Sequence, residues 1–336
     1  MSDEAFGRLV TALSEPAGDF PSDNFVSNET TVLDAAPALA EVPAGRAYIG
    51  VGPEQNLTYL ALVRPEMTYV LDIRRGNLLE HLVLRAALEP AETPAEFLAA
   101  LTSRPSPPPS SSLPEVLGAL GSRRGEPARR DALVTGTEGL AARLGLALSV
   151  EDRQSIRDIA RAFFEHGTSL RYSMQGANRR YPTLAELLAA RGPDGASGTF
   201  VADPEAYRFV RALVRANRVV PVVGDFAGPH ALRAIGVDMA ARGLLLGAFY
   251  TSNVEEYLFA GGTFEAFAAN VATLPADDRS LFVRVWFDRS RAHPLQRDGE
   301  RMTTVVMPVS RMRTRPAGRP YRSYWQVITD GLPSAR

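Results

Sequence analysis

A pair of glycines and an aspartate that follows them are the first candidates for chemistry in this sequence. Gly50 and Gly52 end a short apolar run, residues 46–52, and the segment after it has the periodicity of a helix. Glycines at such a junction let the backbone approach a ligand closely, and the helix N-terminus supplies N–H donors. Asp72 ends the next apolar run, 20 residues after Gly52. A dinucleotide fold places at that separation the acid that binds the ribose hydroxyls, so the spacing predicts a nucleoside site; the alternative is a plain tight turn.

The residues around the glycines bear on which nucleoside would bind. Gln55 stands where the dinucleotide fingerprint has its third glycine, and Glu54 adds negative charge beside it. Both features disfavour a pyrophosphate, which needs close backbone approach. S-adenosylmethionine carries an ammonium and a carboxylate instead, and Glu54 beside backbone donors suits that zwitterion. NADP is an alternative, because Arg74 and Arg75 directly follow Asp72 and are candidates to hold a 2′-phosphate.

Two later apolar runs also end in residues that suit a ligand site. Asp225 and Phe226 close the run at 218–225, where an acid and an aromatic ring suit an adenine amino group and its ring face. The alternative for Asp225 is a helix N-cap. Tyr250 closes the run at 244–250, where the transferred group of such a fold would lie.

Asn253 and Glu255 follow Tyr250 closely. We expect Asn253 to contact the cofactor, although capping of the next helix by Ser252 or Asn253 is the alternative. We expect Tyr250 and Glu255 to be catalytic, with one of Glu255 and Glu256 facing the crevice as a base.

Two segments outside these runs are candidates to cover a substrate. Asn24, Asn28 and Glu29 belong to a polar stretch before the first strand, for which a capping box or an ordinary turn is the alternative. Arg171 and Tyr172 lie in a helical region and suit an anionic or aromatic substrate, although surface packing is the more common role of such residues.

The elements that position these residues alternate between strands and helices. Such alternation predicts a doubly wound α/β fold, and we expect a mostly parallel sheet of seven strands within a single Rossmann-like domain spanning residues 1–336. Residues 1–45 form an amino-terminal cap segment. Residues 90–216 form a mainly helical insertion between the second and third strands, with a proline- and serine-rich linker at 105–112. The seven strands are expected at 46–52, 67–73, 218–225, 244–250, 280–287, 303–309 and 324–328.

The composition excludes much covalent and metal chemistry. The sequence has no cysteine, and all 37 basic residues are arginines, so thiolate nucleophiles and Schiff-base lysines are absent. The four histidines lack metal-ligand spacing, which predicts no metal site. A net charge of -1 predicts neither a nucleic-acid nor a membrane partner. The acidic start and the lack of a long apolar run favour a cytoplasmic location.

Five motifs together resemble an uncharacterised bacterial family with the class I S-adenosylmethionine-dependent methyltransferase fold. They are DNFVSNE (23–29), YIGVGPEQN (48–56), VLDIRRGNLL (70–79), VPVVGDFAGP (220–229) and AFYTSNVEEYL (248–258). The similarity runs through about residues 14–290. It implies the Rossmann-like fold, with Gly50, Gly52 and Asp72 as cofactor residues and Asp225 and Phe226 at the adenine.

These observations favour a methyltransferase-like enzyme that uses S-adenosylmethionine and acts on a small molecule. Alignment supplies most of the catalysis of methyl transfer, which needs no covalent nucleophile. A catalytically inactive ligand-binding or interaction protein with the same fold is the alternative, motivated by the altered glycine loop. An NADP-linked oxidoreductase is a further one.

Overall fold

Continuous apolar runs form the strands of a central sheet. In the computed structural model, which describes residues 1–174, 180–195, 198–289, 291–314 and 319–332, every residue of the first three strands is buried. Such strands are typical of a parallel sheet that is covered on both faces. The strands are Ala47–Gly50 (β1), Met67–Asp72 (β2), Val219–Val223 (β3), Leu246–Ser252 (β4), Leu281–Phe287 (β5) and Met302–Pro308 (β6).

The strand order is β3-β2-β1-β4-β5-β6. Strands β1 to β5 are parallel to one another, and β6 is antiparallel to β5. The chain winds outward from β1 to β3 and then returns to add β4 on the other side of β1. The α/β prediction is therefore confirmed, and the crevice between the carboxyl ends of β1 and β4 is the topological switch point of the sheet.

The prediction of a seventh strand at 324–328 is wrong. Tyr324–Ile328 is a short helix, and the side chain of Ser323 caps it by accepting from the Gln326 N–H. A five-residue apolar run fits a strand or a buried helical turn equally well by periodicity. Within the described residues the sheet has six strands.

Helices cover both faces of the sheet, and six of them lie in the stretch predicted to be helical, between β2 and β3. Arg75, on the helix after β2, and Asp152, on a helix of this stretch, form an ion pair of 2.6 Å that joins the two. None of the described helices is both long and apolar enough to cross a membrane. The helices are Asp3–Leu13 (α1), Ala36–Ala40 (α2), Gln55–Val63 (α3), Arg75–Leu88 (α4), Pro94–Leu101 (α5), Leu113–Ser122 (α6), Pro127–Arg143 (α7), Val150–His166 (α8), Leu184–Leu188 (α9), Pro204–Arg215 (α10), Ala231–Ala241 (α11), Val254–Ala260 (α12), Phe264–Ala272 (α13), Ser310–Arg313 (α14) and Tyr324–Ile328 (α15).

The amino-terminal segment, residues 14–31, crosses the carboxyl end of the sheet. The Glu15 N–H donates to the Val223 carbonyl at the end of β3, and the Gly18 N–H donates to the Ile73 carbonyl after β2, each at 2.9 Å. At its other end Thr31 is 2.9 Å from Thr304 of β6, hydroxyl to hydroxyl. This segment therefore covers the switch point of the sheet.

Candidate functional site

A cavity of about 390 Å³ lies between the carboxyl end of the sheet and the amino-terminal segment. That volume is within the range of about 300–1,000 Å³ that small-molecule sites occupy. Its walls include Gly52, Asp72, Asp225 and Tyr250, which follow or end β1, β2, β3 and β4. The loops after four strands thus meet at one place, because parallel strands direct all their carboxyl ends to the same end of the sheet.

The two glycines after β1 have different roles. A Cβ on Gly50 would lie 2.0 Å from Asn56 Oδ1 and 2.8 Å from the Tyr48 hydroxyl, and Gly50 does not line the cavity. Its close approach is therefore to the protein itself. Gly52 lines the cavity with φ +76°, in the left-handed region that favours glycine. The Asn56 amide fixes this loop by donating to the carbonyls of Val51, Gly52 and Pro53 at 2.9, 3.1 and 2.9 Å.

Glu54 faces the amino-terminal segment and does not line the cavity. Both of its carboxylate oxygens accept from the Ser27 N–H, at 3.2 and 3.1 Å. Burial raises the pKa of Glu54 to about 7, which the Ser27 N–H partly opposes. Glu54 therefore holds Ser27 in place, and the ligand contact expected of it is not formed at this cavity.

Asp72 ends β2 in the cavity wall and is bound by Arg74. Asp72 Oδ1 accepts from the Arg74 backbone N–H at 2.9 Å, and Oδ2 lies 3.1 Å from an Arg74 guanidinium nitrogen. Arg74 also lines the cavity and donates to the Asp23 carbonyl at 2.6 Å. Arg75 pairs with Asp152 and does not line the cavity.

Asp225 and Phe226 line the cavity after β3. Asp225 Oδ1 accepts from the Ala227 N–H at 2.9 Å, which closes a turn, and the next helix begins only at Ala231. Asp225 therefore caps a turn and not that helix. The Phe226 ring packs against Phe249, with the ring centroids 5.2 Å apart. Phe226 therefore belongs to both the core and the cavity wall.

Glu29 is the most buried carboxylate in the cavity wall and the centre of a hydrogen-bond network. Tyr250 donates to Glu29 Oε1 at 2.7 Å, Gln55 donates to Oε2 at 3.0 Å, and the Ser252 hydroxyl also donates to Oε1. Gln55 donates to the Tyr250 hydroxyl oxygen as well. Burial raises the pKa of Glu29 to about 7, and its three donors oppose that rise. Tyr250 is thus hydrogen-bonded to Glu29, the residue of the amino-terminal segment that the sequence predicts to cover the substrate.

The end of β4 has an unusual backbone that aims a hydroxyl at this network. Ser252 has φ +51°, which is uncommon for a residue with a side chain. The Ser252 carbonyl accepts from the Tyr324 hydroxyl at 3.0 Å, which supports that conformation. Asn253 lines the cavity and also occupies the N-cap position of α12, where its amide donates to Glu256 at 3.1 Å.

Glu255 lies away from the cavity. Its side chain is fully buried and forms a two-pronged ion pair with Arg284 of β5, at 2.6 and 2.9 Å. The guanidinium of Arg284 also lies over the Phe282 ring, 3.8 Å from the centroid. The structure therefore does not bring Glu255 to the position of a base, because both of its oxygens are engaged in the core.

The candidate substrate residues divide into two groups. Asn24, Asn28 and Tyr172 line the cavity together with Glu29. Tyr172 packs edge-on against Tyr181, with the ring centroids 4.8 Å apart. Arg171 does not line the cavity: its guanidinium donates to the Tyr181 carbonyl and lies 3.5 Å from Glu186.

Several wall residues were not singled out from the sequence as ligand contacts. Gln55 was noted only as the replacement for a glycine, and Ser252 only as a possible cap. Phe20 and Tyr257 form an edge-to-face pair, with ring centroids 5.2 Å apart, that borders the cavity. Their separation of 237 positions hides this relationship from a sequence pattern. Phe287, at the end of β5, completes this aromatic wall.

The cavity carries more negative than positive side chains. Asp19, Glu29, Asp72 and Asp225 line it, against Arg74 and Arg289. Arg74 is engaged with Asp72, and Arg289 lies 3.3 Å from Glu256, which is outside the lining. Among the described residues, no arginine forms an ion pair with the other three lining carboxylates.

The fold and the cavity define an α/β protein with a mostly parallel six-stranded sheet and a ligand-sized site at its carboxyl end. The chain belongs to the family described as a domain of unknown function, DUF7790, which matches residues 24–114 and 149–330. No curated protein has significant sequence similarity to it. Among solved structures, the rRNA methyltransferase aviRa from Streptomyces viridochromogenes is similar at 13% identity with a TM-score of 0.33, covering 90% of this chain and 91% of that chain.

Proposed function

We propose that the cavity binds S-adenosylmethionine and that the protein transfers its methyl group to a small molecule. The observation that carries this proposal is that Gly52 and Asp72 line one cavity from the carboxyl ends of two adjacent parallel strands. An acid at the end of β2 is where nucleoside-binding α/β proteins receive the ribose hydroxyls, and the site lies at the switch point of the sheet.

The remaining wall residues suit the adenine, the ribose and the amino-acid portion of S-adenosylmethionine. Asp225 would accept from an adenine amino group, and Asp72 retains acceptor capacity on Oδ2, which is bonded to Arg74. The Gly52 loop offers backbone without a side chain where the amino-acid portion would lie. A net excess of carboxylates favours a cationic ligand over an anionic one.

The same features disfavour a dinucleotide. A pyrophosphate bound at the start of α3 would lie beside the buried carboxylates of Glu29 and Glu54, which repel it. The arginines that were candidates for a 2′-phosphate are engaged elsewhere, Arg74 with Asp72 and Arg75 with Asp152. The NADP alternative therefore loses the residues that motivated it.

Methyl transfer in this cavity would depend on positioning. The cofactor, when bound, supplies a methyl group on a positively charged sulfur. The chain contributes the orientation of both partners and the exclusion of water under the amino-terminal segment, which together lower the entropic part of the barrier. Tyr250 and Ser252 fix the carboxylate of Glu29 where an acceptor would enter, between β4 and the aromatic wall.

Calorimetric titration tests cofactor binding. We expect S-adenosylhomocysteine to bind the wild type, and Asp72→Asn to weaken binding at least tenfold because a carboxylate acceptor for the ribose is lost. Asp152→Asn is the matched control, since it removes one partner of an Asp–Arg pair outside the cavity, and it should leave the affinity unchanged. Equal affinities of the two variants would contradict the proposed cofactor position, and no binding to the folded wild type would contradict the function.

A non-catalytic ligand-binding protein is the second candidate. It is favoured by the position of Glu255, which lies in a core ion pair instead of in the cavity. Incubation with S-adenosylmethionine and a panel of amines and alcohols separates the two: formation of S-adenosylhomocysteine supports the enzyme, and tight binding without product favours the binding protein.

A further inference from the structure

Glu29 is a buried carboxylate that lines the cavity without a cationic partner, whereas Glu54 and Glu80, which form no ion pair among the described residues either, do not line it. Glu255, Asp72 and Asp152 each pair with an arginine. Glu29 is 2% exposed, and its recorded partners are the neutral groups of Tyr250, Ser252 and Gln55. Within the described residues no ion pair is formed by Glu29. When it is ionised, a buried carboxylate held only by neutral donors has an uncompensated negative charge, which a cation in the cavity would compensate.

A second buried group beside Glu29 lacks a partner. The Oε1 atom of Gln55 is buried and forms no hydrogen bond among the described residues. The residue as a whole is 7% exposed. The Nε2 group of the same amide donates to Glu29 and to Tyr250, so the orientation of the amide is fixed by its donors. A carboxylate and an unsatisfied amide oxygen side by side form an acceptor-only site. An alkylammonium group, which has three donors and no acceptor, matches that requirement.

Four aromatic residues line the cavity that contains this acceptor site. Phe20, Tyr172, Tyr257 and Phe287 line it. Aromatic faces favour both planar groups and cations. The nearest strand end, that of β4, contributes Tyr250 and Ser252 to both the wall and the network. The ligand that meets all of these requirements is an alkylammonium group joined to an aromatic ring through a short alkyl chain.

We propose that Glu29 and Gln55 bind the ammonium group of an arylalkylamine, whose ring lies against the aromatic wall. The binding stands without the proposed function. A role of this amine as methyl acceptor rests on that function and requires the ammonium first to give a proton to the Glu29 carboxylate, because only the neutral amine has a lone pair. Ion pairing between Glu29 and the ammonium would hold the nitrogen at a fixed place, and Tyr250 and Ser252 would set the position of the carboxylate.

Binding should depend on pH in the range where Glu29 ionises. The titratable groups that face Glu29 are Glu54 and Tyr59 of α3, Tyr48 of β1, Tyr250 of β4 and Tyr324 of α15. Burial raises the pKa of each of these tyrosines well above its usual value, so they stay neutral near pH 7. Glu54 titrates in the same range as Glu29, since burial raises both pKa values to about 7.

Calorimetry with tyramine and with 4-(2-hydroxyethyl)phenol, in which a hydroxyl replaces the amino group, tests the proposal. We expect the wild type to prefer tyramine and its affinity to rise about tenfold between about pH 6 and about pH 8 as Glu29 ionises. Glu29→Gln should weaken tyramine binding by about 10- to 100-fold and abolish its pH dependence, with little effect on the alcohol. Glu54→Gln, which removes a buried carboxyl outside the cavity, should keep the preference and the pH dependence.

Two adenosine ligands separate this inference from the proposed function. S-adenosylhomocysteine has an ammonium group, whereas methylthioadenosine has the same nucleoside without one. If Glu29→Gln weakens S-adenosylhomocysteine but not tyramine, the site belongs to the cofactor and the amine assignment is overturned. If neither adenosine ligand binds while tyramine does, the proposed function fails and the amine site stands. Equal tyramine affinity in wild type and Glu29→Gln, with both proteins folded by circular dichroism, overturns the inference.

Discussion

The Tyr250 hydroxyl donates a 2.7 Å hydrogen bond to Glu29, and this bond joins the end of β4 to the amino-terminal segment. The two residues are 221 positions apart in the sequence. The bond places a buried carboxylate at the switch point of the sheet, beside the loop that carries Gly52. Both residues line the same cavity, so we expect a substitution of either one to change the affinity for a ligand bound there.

Removal of the Tyr250 hydroxyl should alter the ionisation of Glu29. Tyr250→Phe deletes a donor to the carboxylate, so we expect the pKa of Glu29 to rise above its value of about 7. Carbon-13 NMR of the glutamate carboxyls, with Glu29→Gln to assign the signal, measures this shift. Tyr48→Phe is the control, because the Tyr48 hydroxyl donates to Asn56 and not to Glu29. Identical titrations of Glu29 in the two phenylalanine variants would refute the assigned bond.

The buried carboxyl of Glu54 should make the protein less stable as the pH rises. Its pKa is raised from the usual 4.5 to about 7 in the folded state, so the stabilisation is fully present below 4.5 and is lost as the pH rises through 7. By linkage the loss is of order 3 kcal/mol. We expect Glu54→Gln to lose less stability than the wild type between about pH 5 and about pH 8, as measured by urea unfolding. Parallel curves for the two proteins would show that Glu54 does not contribute.

Glu255 should stabilise the fold through its pair with Arg284. Glu255→Ala leaves the guanidinium of Arg284 buried without its carboxylate, which costs about 3–5 kcal/mol of unfolding free energy. The neighbouring Glu256→Ala is the matched control, because Glu256 and Arg289 are partly exposed, at 30% and 54%, and such a pair is worth about 1 kcal/mol or less. Urea unfolding of both variants measures the difference. If Glu255→Ala is as stable as Glu256→Ala, the structural role of the pair is wrong.

The two glycines of the first loop should respond differently to substitution by alanine. At Gly50 the new Cβ would meet Asn56 and the Tyr48 hydroxyl, so we expect a loss of about 1–3 kcal/mol in stability. At Gly52 the nearest atom is 3.6 Å away, so the main cost is the left-handed backbone, about 1–2 kcal/mol. Gly52→Ala should also weaken S-adenosylhomocysteine binding, because the methyl group enters the cavity wall. Thermal unfolding and calorimetry measure both effects, and weaker ligand binding for a fully folded Gly50→Ala than for Gly52→Ala would reverse the assignment.

The sequence predicts the ends of the strands better than it predicts which side chains meet there. Asp72 and Asp225 follow buried apolar runs, and parallel strands bring such ends together, so their presence at one cavity follows from periodicity. The position of Glu255 on α12 depends on Arg284, 29 residues away on β5, and no local pattern reveals a pair of that kind. Tyr324–Ile328 was assigned to a strand because a short apolar run does not distinguish the two structures.

The role of Gln55 shows the same limit within the glycine loop itself. Because Gln55 replaces the third glycine of the fingerprint, the sequence of the loop alone indicates that a pyrophosphate does not bind there. Its contacts with Glu29 and Tyr250 come from segments 26 and 195 residues away, so they require the folded sheet.

A crystal structure of the protein grown with S-adenosylhomocysteine tests the central claim most directly. The account predicts electron density for the nucleoside in the cavity, with the ribose hydroxyls at Asp72, the adenine beside Asp225 and the amino-acid portion against Gly52. Density for the ligand at any other place, or none in this cavity at saturating ligand, would contradict it.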